Sequence, residues 1–357
     1  MRNISAETLL ILAGAVSFFV TYYSIPSIVT IARLKKVFDE PKQRKSHVNP
    51  IPTLGGVSIF AGFTVSAGSF ISYDHIPSLQ YILVACIIIF FIGLKDDLLV
   101  IAPSKKLLGQ IVAALILILS GDLYLTSLHS FLGISHVSFP VSIILTTFVI
   151  IVVVNSFNLI DGVDGLAASI GMLTSAFFGT WFFLSGNREY SLISAAVFGT
   201  LLAFFRFNVF GGKNKIFMGD TGSLLVGLLL SVQVILFNEK NIGYTSAFHI
   251  MSAPAVSFAV LIVPLYDTIR VFIVRILRRR SPFSADKNHI HHLLLKLGYT
   301  HVQTTMLIAV VNICFIFLAL LLQGLGIIWL MLVILILALA LSSFLEYKVR
   351  LTHHNEK

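Results

Sequence analysis

Long apolar runs leave this chain few folds to choose from. About eleven can be counted, near residues 8–32, 54–72, 80–94, 107–120, 140–156, 166–185, 191–207, 223–238, 249–274, 303–322 and 326–346, several of them short of the roughly 20 residues a full bilayer crossing needs. Backbone N–H and C=O groups cannot stay unpaired in hydrocarbon, so helices are the expected spanning structure. Of 357 residues, 57% are hydrophobic and 11% charged, against roughly 25% charged in soluble domains. We read the chain as an all-α integral membrane protein of about eleven transmembrane helices. It forms a single polytopic unit over residues 1–357, with its motifs between about 39 and 295.

Lys and Arg gather in cytoplasmic loops, which sets the orientation. With the N-terminus outside and the spans alternating, all 25 basic residues except Arg2, Arg188 and Lys240 fall on the cytoplasmic side, as does the C-terminal tail. The net charge of +9 follows from that rule and implies no nucleic acid, and no nucleic-acid-binding module is apparent. The first run has neither a basic leading segment nor a small-residue cleavage site, so it is expected to be a retained span. Cys86 and Cys314 lie inside expected spans and are read as packing residues. The outer segment 121–140 alternates through Ile134-Ser-His-Val-Ser-Phe139, which suggests a short hairpin.

Six carboxylates stand at the ends of apolar runs: Asp96, Asp97, Asp161, Asp164, Asp220 and Asp267. Ionised groups at that depth are costly, so each is a candidate for function. Asp96 and Asp97 close the third run, and adjacent helical side chains diverge by about 100°, so one can face a metal while the other faces substrate. Their plainer explanation is a solvated helix end paired with Lys95, Lys105 or Lys106. Asn155, Asn158, Asp161 and Asp164 recur every three residues and end in two Asp-Gly steps, laying a polar stripe that leads into tight turns. Phe217-Met-Gly-Asp220-Thr-Gly-Ser223 opens the eighth run. Amides at a helix start bind anions, and carboxylate oxygens together with substrate phosphates suit Mg²⁺; capping by Asp220 and Ser223 is the plainer alternative. After the ninth run come Arg278, Arg279 and Arg280 and then His289, His291 and His292. No four-ligand zinc set is complete there, and guanidinium with imidazole fits a diphosphate clamp better. Before the second run, Lys45 and His47 add positive charge beside a proline turn and Gly55-Gly56. Attraction to anionic lipid would also explain that charge.

These five motifs, in order from about Asp39 to about Leu295, resemble the polyprenyl-phosphate N-acetylhexosamine-1-phosphate transferases of glycosyltransferase family 4. The resemblance implies a multi-pass enzyme of the bacterial cytoplasmic membrane, with its active site on the cytoplasmic face. Such an enzyme moves a HexNAc 1-phosphate from a UDP-sugar to undecaprenyl phosphate and releases UMP. It uses Mg²⁺, with Mn²⁺ as a substitute, and begins a cell-envelope polysaccharide such as lipopolysaccharide O-antigen; a homodimer is left open. By position, Asp220 resembles the metal ligand and Asp96 and Asp97 the catalytic pair that also approaches the metal. Asp161 and Asp164, with Asn155, Asn158 and Asn208 nearby, resemble the nucleotide side, where Phe217 would stack on uracil. His289, His291, His292 and Arg278 to Arg280 resemble the sugar and diphosphate loop. The peptidoglycan branch, which takes UDP-MurNAc-pentapeptide, has three consecutive histidines followed by Phe-Glu. His289-Ile-His291-His292-Leu-Leu instead resembles the branch that takes UDP-GlcNAc or related donors. That peptidoglycan branch also has a lysine close before its glycine pair, where this chain reads His47-Val-Asn-Pro, so the roles of Lys45 and His47 stay open. Direct attack by the lipid phosphate, with Asp97 positioning or deprotonating it, is preferred over a covalent phospho-aspartate. A membrane transporter is the alternative from another class, but its charges would line a midplane path, whereas these cluster at one end beside glycine turns.

Overall fold

Each of the apolar runs forms helix in the computed structural model, which describes residues 5–35, 51–71, 76–243, 247–277, 279 and 289–355. In chain order the helices are α1 (Ala6–Leu34), α2 (Gly55–Phe70), α3 (Leu79–Leu98), α4 (Pro103–Leu119), α5 (Phe139–Ile160), α6 (Leu166–Leu184) and α7 (Arg188–Phe210). There follow α8 (Gly219–Lys240), α9 (Ala253–Val260), α10 (Ile262–Leu277), α11 (Ile290–Lys296), α12 (His301–Leu321) and α13 (Ile327–Asn355). Among the described residues, eight helices are long and apolar enough to cross a membrane, or nine if the bent pair α9–α10 is one span. At 16 and 17 residues, α2 and α4 are shorter. The expected outer hairpin is present as β1 (Ser127–Phe131) and β2 (Ile134–His136), paired antiparallel.

The ninth run departs from a straight span: α9 and α10 meet at 83°. Pro264 is the cause, because its ring excludes the carbonyl four residues back and supplies no N–H to it. That carbonyl belongs to Val260, and Asn312 of α12 donates its side-chain amide to it at 3.1 Å. A polar side chain deep in an apolar helix thus satisfies the backbone group that the proline releases.

The axis of the bundle is α8, buried without interruption from Thr221 to Asn238, as expected of a helix apolar on every side. It packs against α2, α3, α5, α6, α7 and α9. Backbones meet closely where α2 and α3 cross its N-terminus. A Cβ on Gly56 would stand 2.1 Å from the Gly222 nitrogen, and one on Gly93 would stand 2.5 Å from the Thr221 Cα. Small residues permit such approaches between membrane helices. A backbone ladder continues the contact, with Phe217 N–H donating to Pro52 O (2.8 Å), Gly55 N–H to Phe217 O (3.0 Å) and Gly56 N–H to Met218 O (2.9 Å). The two glycine-rich motifs, far apart in sequence, are therefore one packed unit. At its other end α8 is latched by Glu239, whose carboxylate accepts the N–H and hydroxyl of Thr126, both at 2.8 Å, from the segment entering the hairpin.

Replacing Gly56 with alanine should force the α2–α8 crossing apart and destabilise the protein by roughly 1–3 kcal/mol. Gly68, around which a Cβ would meet nothing within 4 Å, is the control. Thermal unfolding in detergent should show a lower midpoint for Gly56→Ala and an unchanged one for Gly68→Ala.

Candidate active site

The end of α3, the start of α8 and the α5–α6 turn meet around one polar cavity of about 410 Å³, lined by Asp97, Asn158, Asp161, Asp164, Phe217 and Asp220 among others. Asp97 is the keystone. Its Oδ1 accepts the backbone N–H of Asp220 at 2.8 Å; its Oδ2 accepts the N–H of Thr221 at 2.9 Å and the Thr221 hydroxyl at 2.5 Å. A carboxylate from one helix thus caps another, where unpaired amides and the positive end of the helix dipole favour negative charge. Gly219 makes room for this, with φ +69° and a missing Cβ that would otherwise stand 2.7 Å from the Asp97 carboxylate. The α8 cap is therefore neither Asp220 nor Ser223, whose hydroxyl donates to Gly219 O at 3.0 Å.

Asp220 is left free to face the cavity. Its Oδ1 accepts from the Asn158 amide at 2.6 Å and its Oδ2 from Lys106 Nζ at 2.5 Å. Lys106 also pairs with Asp96, whose other oxygen accepts the Ile101 N–H at 2.7 Å. One cation thus draws together carboxylates from α3 and α8. Lys106 was among the partners expected for the Asp96–Asp97 helix end, and its pairing with Asp96 accords with that; its second partner, Asp220, was not foreseen.

The nucleotide-side candidates divide. Asp164 pairs with Lys215 at 2.6 Å and with His301 at 3.3 Å. Burial alone would raise its carboxyl, but the bonds from His301 and Lys215 prevail and hold it below the usual range. Asp161 has no charged partner among the described residues. Burial first, then the charges of Asp220, Asp97 and Asp164, push it well above the ordinary carboxylate range. Positive charge arriving beside it would reverse that. Asn208 also lines the cavity and braces the turn, accepting the Gly165 N–H at 2.6 Å and donating to Ile216 O at 2.9 Å. Phe217 lines the cavity, with Lys215 Nζ 5.9 Å from its ring centre. Asn155 does not line it: its amide pairs with Gln110 of α4 at 2.6 and 3.3 Å and donates to Ile151 O at 2.8 Å. The expected polar stripe therefore splits, Asn155 joining α5 to α4 while Asn158 reaches the site.

His289, His291 and His292 cluster beside this cavity. The His289 and His291 rings stack 5.6 Å apart, and His291 and His292 stand 4.3 Å apart. The Nε2 of His291 abuts the turn at Gly162, where a Cβ would lie 3.0 Å away. Burial, then the neighbouring His292, pushes the His291 imidazole down to about 3, so it is neutral here. Arg279 is exposed. Lys45, His47, Arg278 and Arg280 lie outside the described residues. His301 and Thr53 also line the cavity, and nothing in their local sequence marks them: His301 merely opens α12 behind the Thr300–Gln303 capping box.

The chemistry fits a hard divalent cation. No group of three His, Cys, Asp or Glu side chains forms a cage among the described residues, but Mg²⁺ is ordinarily held by one or two carboxylates with substrate phosphates completing its shell. Asp96 and Asp220 already share a cation, and Asp161 faces the same cavity without one.

The family model described as glycosyl transferase family 4 matches residues 79–238, which span the start of α3 to the end of α8. The chain is 30% identical over 301 residues to the undecaprenyl-phosphate alpha-N-acetylglucosaminyl 1-phosphate transferase of Escherichia coli O157:H7, covering 84% of this chain and 78% of that one. It is 31% identical over 323 residues to the decaprenyl-phosphate N-acetylglucosaminephosphotransferase of Mycobacterium leprae, covering 84% and 80% respectively.

Asp97→Ala would leave the amides of Asp220 and Thr221 and one hydroxyl without their acceptor, a loss of roughly 1–3 kcal/mol per buried group. The melting temperature should fall clearly, with Asp97→Asn, which keeps one acceptor oxygen, falling less.

Proposed function

The chain belongs to glycosyl transferase family 4, and on that premise we propose that it transfers N-acetylglucosamine 1-phosphate from UDP-GlcNAc to undecaprenyl phosphate. A polyprenyl-phosphate oxygen forms a bond to the phosphorus that carries the sugar, and the bond from that phosphorus to UMP breaks. The products are undecaprenyl-diphosphate-GlcNAc and UMP. The donor assignment rests on the activities for which the relatives are named and on the His289-Ile-His291-His292 pattern, and the lipid on the relatives' names.

The single observation that carries the reading is the convergence of Asp96 and Asp220, from different helices, on one cation at the edge of a polar cavity inside an apolar bundle. Phosphoryl transfer between two anions is governed by positioning and charge neutralisation. Asp96 and Asp220 would hold Mg²⁺ or Mn²⁺, which when bound offsets phosphate repulsion and polarises the transferred group. Asp97, with both oxygens committed to α8, positions Asp220; an ionised phosphate needs no base to make it a nucleophile. Asp161, Asp164 and Phe217 would form the nucleotide side and the histidine cluster the sugar-diphosphate side. The concentration of Lys and Arg in the loops at this end supports a site on the cytoplasmic face of a bacterial inner membrane. The product would then begin a cell-envelope polysaccharide.

Purified protein given undecaprenyl phosphate, Mg²⁺ and UDP-GlcNAc should release UMP and form labelled lipid, and chelation should abolish both. UDP-GalNAc and UDP-MurNAc-pentapeptide in parallel should give little or none. Uptake of a UDP-sugar into proteoliposomes without UMP release would contradict the reading. Asp220→Asn should lower kcat by roughly 100-fold and raise the Mg²⁺ concentration needed for half activity; an unchanged metal titration would reject Asp220 as a ligand.

A further inference from the structure

Asp267 stands towards the end of the ninth apolar run, and the reaction above gives it no task. Its side chain is 3% exposed. One oxygen accepts from Arg270 at 3.1 Å and from the Ile290 N–H at 3.0 Å; the other meets His289 Nδ1 at 2.8 Å. The second arm of Arg270 reaches Glu346 of α13 at 2.5 Å. A line of charge therefore runs from the C-terminal helix through α10 to the first histidine of the cluster. Alongside it the Tyr266 and Ser342 hydroxyls share a hydrogen bond at 2.6 Å, which fixes α10 against α13.

Buried ion pairs seldom add net stability, because desolvation offsets the attraction, and inside a bilayer such groups are rarer still. Position is the better explanation. An ionised carboxylate only accepts, so His289 carries its proton on Nδ1 and presents Nε2 as its other nitrogen. Carboxylates that back a working imidazole fix its tautomer and its plane in the same manner. His289 in turn stacks on His291, whose Nε2 seats against the Asp161–Gly162 turn of the cavity. The placing of the histidines against the site thus passes through Asp267.

We propose that Asp267, braced by Arg270 and Glu346, is the positioning residue of the histidine cluster, holding His289 in the Nδ1–H form and registering the cluster against the cavity. The C-terminal helix, outside the residues 79–238 matched by the family model, is on this account part of what shapes the site. The proposal rests on the transferase reading for its kinetic arm only.

Its test combines the ring-nitrogen spectrum of ¹⁵N-histidine-labelled protein, with His289 assigned by its loss in His289→Gln, and steady-state kinetics. Wild-type protein should show His289 as the Nδ1–H tautomer, and Asp267→Asn should replace that signature with a tautomer mixture. Asp267→Asn should lower kcat on the order of tenfold or more, and adding His289→Gln to it should cost little further, as for residues acting through one another. Glu346→Gln should give a several-fold loss that Glu346→Asp largely restores, at unchanged melting temperature. An unaltered His289 spectrum in Asp267→Asn, or losses that multiply independently in the double variant, would overturn the proposal. Should Asp267→Asn not fold, Glu346→Gln decides: wild-type kcat with a wild-type spectrum would overturn it. The spectrum needs no substrate, so it stands even if the donor or the reaction proves different.

Discussion

The carboxylate of Asp97 on the amides that open α8 is the interaction from which the rest of the site follows. Bringing an ionised group to the end of an apolar helix is expensive, and here three donors from one helix turn meet it. The bond aims Asp220 away from its own helix end and into the cavity. The close backbone contacts at Gly56 and Gly93 make the geometry stiff, since neither α2 nor α3 can slide without meeting the α8 main chain. With Glu239 held at the far end by Thr126, α8 is fixed along its whole length.

Stiffness matters because the site gathers like charges. Asp97, Asp161, Asp164 and Asp220 line one cavity, and Lys106 and Lys215 offset Asp220 and Asp164, with Asp96 sharing Lys106. Such an arrangement is stable only while cations are supplied, and it becomes more favourable when a divalent ion and its phosphates enter. Preorganised charge of that kind needs no rearrangement when the reaction occurs.

Much of this was legible in the sequence, and the omissions share a cause. The helices follow from apolar runs, the outer hairpin from alternation at Ile134 to Phe139, and the set of carboxylates from their depth. Their division of labour does not follow from local spacing. The partner of Asp97 lies 123 residues away, so local sequence could not decide against the alternative that Asp220 caps its own helix. Asn155 and Asn158 share a period but meet different neighbours, Gln110 and Asp220, which only the packing of α4 and α8 decides. Lys106 and His301 gain their place from the same long-range contacts. The break at Leu261 was foreshadowed by Pro264, yet its rescue by Asn312 depends on a helix more than fifty residues on, as the separation of 52 shows.

The account's central claim is that Asp96 and Asp220 together form a cation site at the N-terminal end of α8, and the anomalous scattering of Mn²⁺ in a crystal of the protein soaked with UDP-GlcNAc tests it most directly. The account predicts a peak within coordination distance of both carboxylates, lost in Asp220→Asn. A peak at the histidine cluster, or none beside Asp96 and Asp220 in crystals that hold the nucleotide, would contradict it.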